Sequence, residues 1–269
     1  MHRHFVFCEL LVVWGFLSPL AHGAPSTAQG QTVPISVLRA APPAASATAD
    51  ELERNGDQLR SAESYLDALD YYRAALTKKP DSAPVYNKLG IVELQMERFK
   101  QARKDFEKSI KLDPTFPSTY NNLGAVYYGQ GDYGAAIKQY KKAIKLEPNV
   151  ATFYSNIGAA YFARKEYEPA GVNYARALEL DPEVLERHSR TGVTAQLSSS
   201  EDHARYAFVM AKLYARSGAI DRALEYLKRA IKEGYAGIKE VYKDAAFAGL
   251  REDPRFADLM ADKPSALPE

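Results

Sequence analysis

The sequence predicts an all-α fold, an α-solenoid of antiparallel helix pairs, on three observations. Four glycines stand 34 residues apart, at Gly56, Gly90, Gly124 and Gly158. Four alanines (Ala68, Ala102, Ala136, Ala170) and four prolines (Pro80, Pro114, Pro148, Pro182) keep the same interval. Three residue types locked to one period mark an array of stacked supersecondary units. Within a period the apolar residues are spaced for helices: Tyr120, Leu123, Gly124 and Tyr127 share one face, and Ala136, Tyr140, Ala143 and Ile144 form a second stripe.

The elements follow in chain order. Residues 1–23 have a basic start, an apolar run from Phe5 to Leu20 broken by Glu9, and Ala21-His22-Gly23 in small-x-small position. That is the order of a secretory signal peptide cleaved near Gly23. The run is short for a membrane span of about 20 residues, so an uncleaved anchor is the alternative. Cys8, the only cysteine, lies in this segment, and cleavage leaves a mature chain without thiol or disulfide chemistry. Residues 24–48, rich in Ala, Pro, Ser and Thr, read as a disordered spacer.

Four repeats then occupy 49–82, 83–116, 117–150 and 151–184. The glycine and alanine are small because paired helices approach to roughly 8–10 Å only where the side chains between them are short. The tyrosines supply bulk beside them, and each proline stops the second helix. The stretch "GQGDYG", Gly129 to Gly134, has the spacing of a dinucleotide-binding loop. That loop needs a strand before it and a βαβ unit around it. A helix precedes this one, so it reads as a helix–helix turn closed by Tyr133, as Tyr65, Phe99 and Tyr167 close the matching turns. Residues 185–203 form an insertion in which Ser198-x-x-Glu201 has capping-box spacing. A degenerate fifth repeat spans 204–237, with Ala211 in place of the glycine and Ala223 in register. Residues 238–263 read as a helical cap over the apolar end of the array, with Ile238, Val241 and Tyr242 on one short helix and Phe256, Leu259 and Met260 on another. Residues 264–269 read as a loose tail.

The repeats resemble the tetratricopeptide repeat family, whose pattern is W-x2-L-G-x2-Y, then A-x3-F, then P. The third repeat offers "YNNLGAVY", "AIKQY" and Pro148; the fourth offers "YSNIGAAY", "AGVNY" and Pro182; the second, "YNKLGIVE", places Glu93 where an aromatic is usual. The resemblance implies that the first helices line a concave groove holding a peptide or a partner's helix. By position that groove includes Asn87, Ile91, Asn121, Asn122, Tyr128, Thr152, Ser155, Asn156 and Phe162. Asparagine amides can pair with both the N–H and C=O of an extended backbone; their other use is to brace neighbouring helices. One subfamily carries a clamp for a C-terminal carboxylate. Here Glu53 and Asp57 stand where it needs Lys and Asn, so the clamp is absent.

Other function classes find little support. The net charge is +1, so bulk electrostatics imply no nucleic acid, and no motif implies a cofactor, a metal or a small-molecule substrate. His188 and His203, with Ser189, Glu201 and Asp202, are the nearest approach to a catalytic group in 185–269, but they lack the spacing of a helical metal pair. The chain is not read as an enzyme. Lys104, Lys108, Lys111, Lys138, Lys141, Lys142 and Lys145 crowd two second helices; such runs are ordinarily solvated faces, an anionic partner or lipid surface being the alternative. The expectation is an exported scaffold, periplasmic or secreted, binding another protein through its groove. Self-association into a homo-oligomer is the rival reading, and an enzyme with a site in 185–269 is the lesser alternative.

Overall fold

The computed structural model describes residues 39–185 and 199–261, which contain twelve α-helices and no strand. Residues 1–23, most of the spacer, residues 186–198 of the insertion and the tail lie outside the described residues. The four repeats are the pairs α1 (Ala49–Ser61) and α2 (Tyr65–Lys78), α3 (Ala83–Gln95) and α4 (Phe99–Leu112), α5 (Pro117–Gly129) and α6 (Tyr133–Leu146), and α7 (Ala151–Ala163) and α8 (Tyr167–Leu180). A fifth pair, α9 (Ser200–Arg216) and α10 (Ile220–Lys232), follows the insertion. Its first helix starts four residues before the expected 204. The predicted α-solenoid is therefore the observed fold. Successive first helices α3, α5 and α7 pack on one another as well as on their partners, which puts them on the inner side of the curve and the second helices on the outer.

One contact sets the spacing within each pair. A Cβ built on Gly56, Gly90, Gly124 or Gly158 would fall 2.6, 2.6, 2.5 or 2.9 Å from the ring of Tyr72, Phe106, Tyr140 or Tyr174 respectively. Each ring lies sixteen positions after its glycine and is buried. In the fifth pair both partners change together: Ala211 replaces the glycine and Leu227, sixteen positions on, replaces the ring, and both are fully buried. The methyl is admitted because the facing side chain is smaller.

The turns between paired helices share a left-handed residue. Glu63, Glu97, Gly131, Lys165 and Gly218 have φ of 59, 57, 79, 64 and 78°. The next N–H bonds back across the helix end, as from Asp132 to Tyr127 and from Arg98 to Glu93 (2.9 and 2.8 Å), the Schellman geometry. Gly131 is thus a turn residue, as the helix–helix reading of "GQGDYG" requires, and Gly129 is small because Phe99 would meet its Cβ at 2.7 Å. A side chain in this conformation costs about 1–2 kcal/mol, part of which glycine returns through its freer unfolded chain. Glu97→Gly, at an exposed turn, is expected to stabilise the fold by about 0.5–1 kcal/mol in urea denaturation.

Helix starts are capped by Thr48 (a full capping box with Glu51), Ser82, Asp132 and Ser199. The insertion's cap is therefore one residue beyond the predicted Ser198: the Asp202 N–H donates to Ser199 Oγ (3.1 Å), and the Ser199 hydroxyl donates to the Asp202 carboxylate (2.9 Å). On the outer side, cations lie over rings of the same repeat: Lys108 over Tyr86, Lys142 over Tyr120 and Arg176 over Tyr154, at 5.7, 5.3 and 5.9 Å. Residues 40–47, expected within the spacer, lie along α2. The Ala40 N–H donates to Asp67, and Tyr71 and Lys78 donate to the carbonyls of Ala41 and Ala45 (3.1, 3.0 and 2.8 Å). At the other end the cap comprises 3-10 turns at Ile238–Tyr242 and Ala245–Phe247, then α11 (Ala248–Arg251) and α12 (Pro254–Ala261). It buries Ile238, Val241, Phe247, Leu250, Phe256 and Met260, while Tyr242 stays exposed.

Glu93, the departure from the repeat pattern, is buried and pairs with Arg73 and Arg98 at 3.1 and 3.5 Å. Burial and this carboxylate push the nearby Asp105 carboxyl up to about 6, with Arg73 and Lys104 pulling the other way. Its folded pKa lies above the unfolded value, so between pH about 4 and about 6 the folded chain binds more protons. The stability this group contributes then falls as pH rises through that window. Asp105→Asn should raise stability at pH 7 by about 1 kcal/mol, discounted because the side chain is half-exposed. The gain should vanish in melts below pH about 4.

Candidate peptide-binding groove

The inner face is built on a polar seam. The Asn122 amide donates to Asn87 Oδ1 at 3.0 Å, and the Asn156 amide donates to Asn121 Oδ1 at 2.8 Å. The Asn121 amide donates to Asn122 Oδ1 at 3.3 Å, joining the two into one chain across α3, α5 and α7. Both inter-repeat bonds span 35 residues, one period plus one. The same step one repeat earlier joins Glu53 to Lys88 at 2.6 Å, and Lys88 also reaches Asp57 at 2.6 Å. Burial alone would lower the Lys88 pKa, but its hydrogen bonds to Asp57 and Glu53 outweigh that and hold it above the ordinary value. The acids that stand where a carboxylate clamp would need Lys and Asn thus brace the first two repeats.

The four asparagines are buried, Asn156 completely. Asn87, Asn121 and Asn122 form the floor of a depression of about 480 Å³ also lined by Ile91, Phe116, Ser118, Val150, Thr152 and Phe153, with Glu147 on the rim. Of the residues expected in the groove, Asn87, Ile91, Asn121, Asn122 and Thr152 come together here. Asn156 joins them through Asn121, and Ser155 is half-buried on the same helix. Tyr128 and Phe162 do not line this depression. Each is 2% exposed, within the main core, and their rings pack 5.2 Å from Tyr133 and Tyr167, the aromatics that close the turns. They sit near the ends of their helices, where the chain turns back and its partner helix covers them.

Phe116, Ser118, Val150 and Phe153 were not among the expected residues. Ser118 could have been found from Thr152, one period later, and Phe116 and Val150 from their places immediately before α5 and α7. Of the catalytic candidates, Asp202 is engaged by the Ser199 cap, while His188 and Ser189 lie outside the described residues. Among the described residues no group of three His, Cys, Asp or Glu side chains could hold a metal.

An all-helical array of paired rods with a hollow inner face defines an α-solenoid. The TPR repeat model matches residues 92–131 and 126–165, and the tetratricopeptide repeat model matches 151–184. Together the matched residues run from 92 to 184, the middle of the chain. The Hsp70-Hsp90 organizing protein of Triticum aestivum is 32% identical over 68 residues, a match covering 25% of this chain and 12% of that protein. Among solved structures, a thermophilic TPR protein of Thermus thermophilus is 20% identical with a TM-score of 0.49, over 80% of this chain and all of that one. MamA is 22% identical with a TM-score of 0.47, over 66% of this chain and 93% of that one. YrrB, described as a TPR protein with an unusual peptide-binding site, is 22% identical with a TM-score of 0.46, over 69% and 86%.

Proposed function

We propose that the chain is an exported scaffold that holds an extended segment of another protein in the inner depression. The observation that carries this reading is the contrast between floor and rim. The asparagine floor spends much of its hydrogen-bonding capacity on itself and is thereby fixed. The half-exposed rim offers apolar Ile91, Phe116 and Val150 beside the hydroxyls of Ser118 and Thr152. Apolar pockets with a few polar groups in fixed positions suit a peptide whose apolar side chains are buried and whose main chain is hydrogen-bonded at the edge.

The test uses rim variants, because changes to the floor would disturb the fold itself. Short random peptides displayed and selected on the chain should yield binders. Thr152→Arg, which fills the depression from a half-exposed position, should weaken them by at least about tenfold in titration calorimetry while leaving the urea midpoint unchanged. Binding indifferent to Thr152→Arg would refute the groove reading. Export rests on residues 1–23, and N-terminal sequencing of the chain from the envelope of a secreting host should begin at Ala24.

A further inference from the structure

The outer helices α4 and α6 together carry nine cations, Lys100, Arg103, Lys104, Lys108, Lys111, Lys138, Lys141, Lys142 and Lys145, against two acids, Asp105 and Glu107. Glu107 is matched by Arg103 at 3.7 Å, and among the described residues none of these lysines forms an ion pair. All but Lys108 are exposed. Lys138, Lys141, Lys142 and Lys145 follow i, i+3, i+4, i+7, which places them on one face of α6. Lys104, Lys108 and Lys111 are their counterparts one period earlier on α4. The feature is not a property of the repeat: the same three positions are Asp70, Ala74 and Thr77 on α2, and Val172, Arg176 and Glu179 on α8. Two adjacent helices are basic, and their neighbours on either side are not.

We infer that this face docks the protein on an anionic lipid surface, with the groove turned away from the bilayer. Three features favour a bilayer over an acidic protein or a nucleic acid. The side of a solenoid that curves outward can rest on a plane along only two neighbouring helices, and two is the extent of the patch. The depression on the inner face and the clefts around α8 to α10 are lined by other residues. Apart from Arg103, the face presents ammonium point charges rather than the planar, bidentate donors that fix one partner geometry. Leu146, next to Lys145 at the end of α6, is 42% exposed, an apolar residue placed to enter the headgroup region beside the ammonium groups. Lys108, Lys141 and Lys142 lie over the rings of Tyr86, Tyr161 and Tyr120, which holds them on this face.

Each lysine near an anionic leaflet contributes about a fivefold gain in partition. The full chain should therefore co-sediment with phosphatidylcholine vesicles carrying about 30% phosphatidylglycerol at least tenfold better than with pure phosphatidylcholine vesicles. The apolar N-terminal segment is present with both vesicles, so the difference reports the lysines. The variant K104Q/K138Q/K142Q/K145Q should lose that difference, and raised salt should erase it in the parent chain. A variant of equal charge change elsewhere, K228Q/K232Q/K239Q/K243Q, alters only exposed residues and should keep most of it. The inference is overturned if both vesicles bind equally, if the two variants behave alike, or if polyglutamate or duplex DNA binds through the same lysines while the anionic vesicles do not. Peptide capture by the groove is measured without vesicles, so either result stands without the other.

Discussion

Gly124→Ala is expected to cost about 2–4 kcal/mol in urea denaturation, at or above the usual range for overpacking. The new Cβ would stand 2.5 Å from the ring of Tyr140, which is fully buried between helices and has no free side to move to. The decisive measurement is the double-mutant cycle. Tyr140→Leu alone leaves a cavity and should be destabilising. In the presence of Tyr140→Leu, however, Gly124→Ala should cost little, a coupling of about 1–3 kcal/mol, because the pair then reproduces Ala211 and Leu227 of the fifth repeat. Tyr140→Phe serves as the control. Among the described residues the Tyr140 hydroxyl is buried without a hydrogen-bond partner, and the second repeat carries Phe106 at the same place, so this change should be neutral or stabilising. Additive costs in the cycle would remove the claim that this contact spaces the helix pair.

Asn121→Ala should destabilise by about 2–3 kcal/mol, more than Asn87→Ala at the end of the chain of amides. Asn121, like Asn122, is an interior link: it donates to Asn122 and accepts from Asn156. Truncating it removes two buried hydrogen bonds of the seam at once, and losing a partner within a buried network costs more than the bond itself contributed. Asn87 is only an acceptor in the seam, and its loss orphans one donor. Chemical denaturation of both variants checks the order. An Asn121→Ala variant as stable as the parent would mean that the seam does not brace the repeats.

The helices, their pairing and the count of repeats were legible because the period is carried by residues whose size is a packing requirement, namely Gly124 against Tyr140 and Ala136 within the pair. The left-handed residue in the turns was not, because Glu63, Glu97 and Lys165 occupy positions where only Gly131 and Gly218 announce the backbone. The docking of residues 40–47 on α2 was equally hidden: Ala40, Ala41 and Ala45 contribute main-chain atoms, which composition does not record. In the groove, position alone placed Asn87, Ile91, Asn121, Asn122 and Thr152 together. It also brought in Tyr128 and Phe162, since register along a helix does not reveal that the next turn folds over its last residues. The asparagine seam escaped for a simpler reason. Its bonds step by 35, and a search at 34 aligns each asparagine with its counterpart rather than with its partner.

The extended segment along α2 has a practical corollary for anyone shortening this protein. A recombinant chain begun at Ala49, where the helical pattern starts, would forfeit the Thr48 capping box and the three hydrogen bonds from Ala40, Tyr71 and Lys78. It would also bare the flank of the first helix pair. Trimming should stop at Ala40 or earlier, and an affinity tag fused there belongs ahead of that alanine rather than against the first helix.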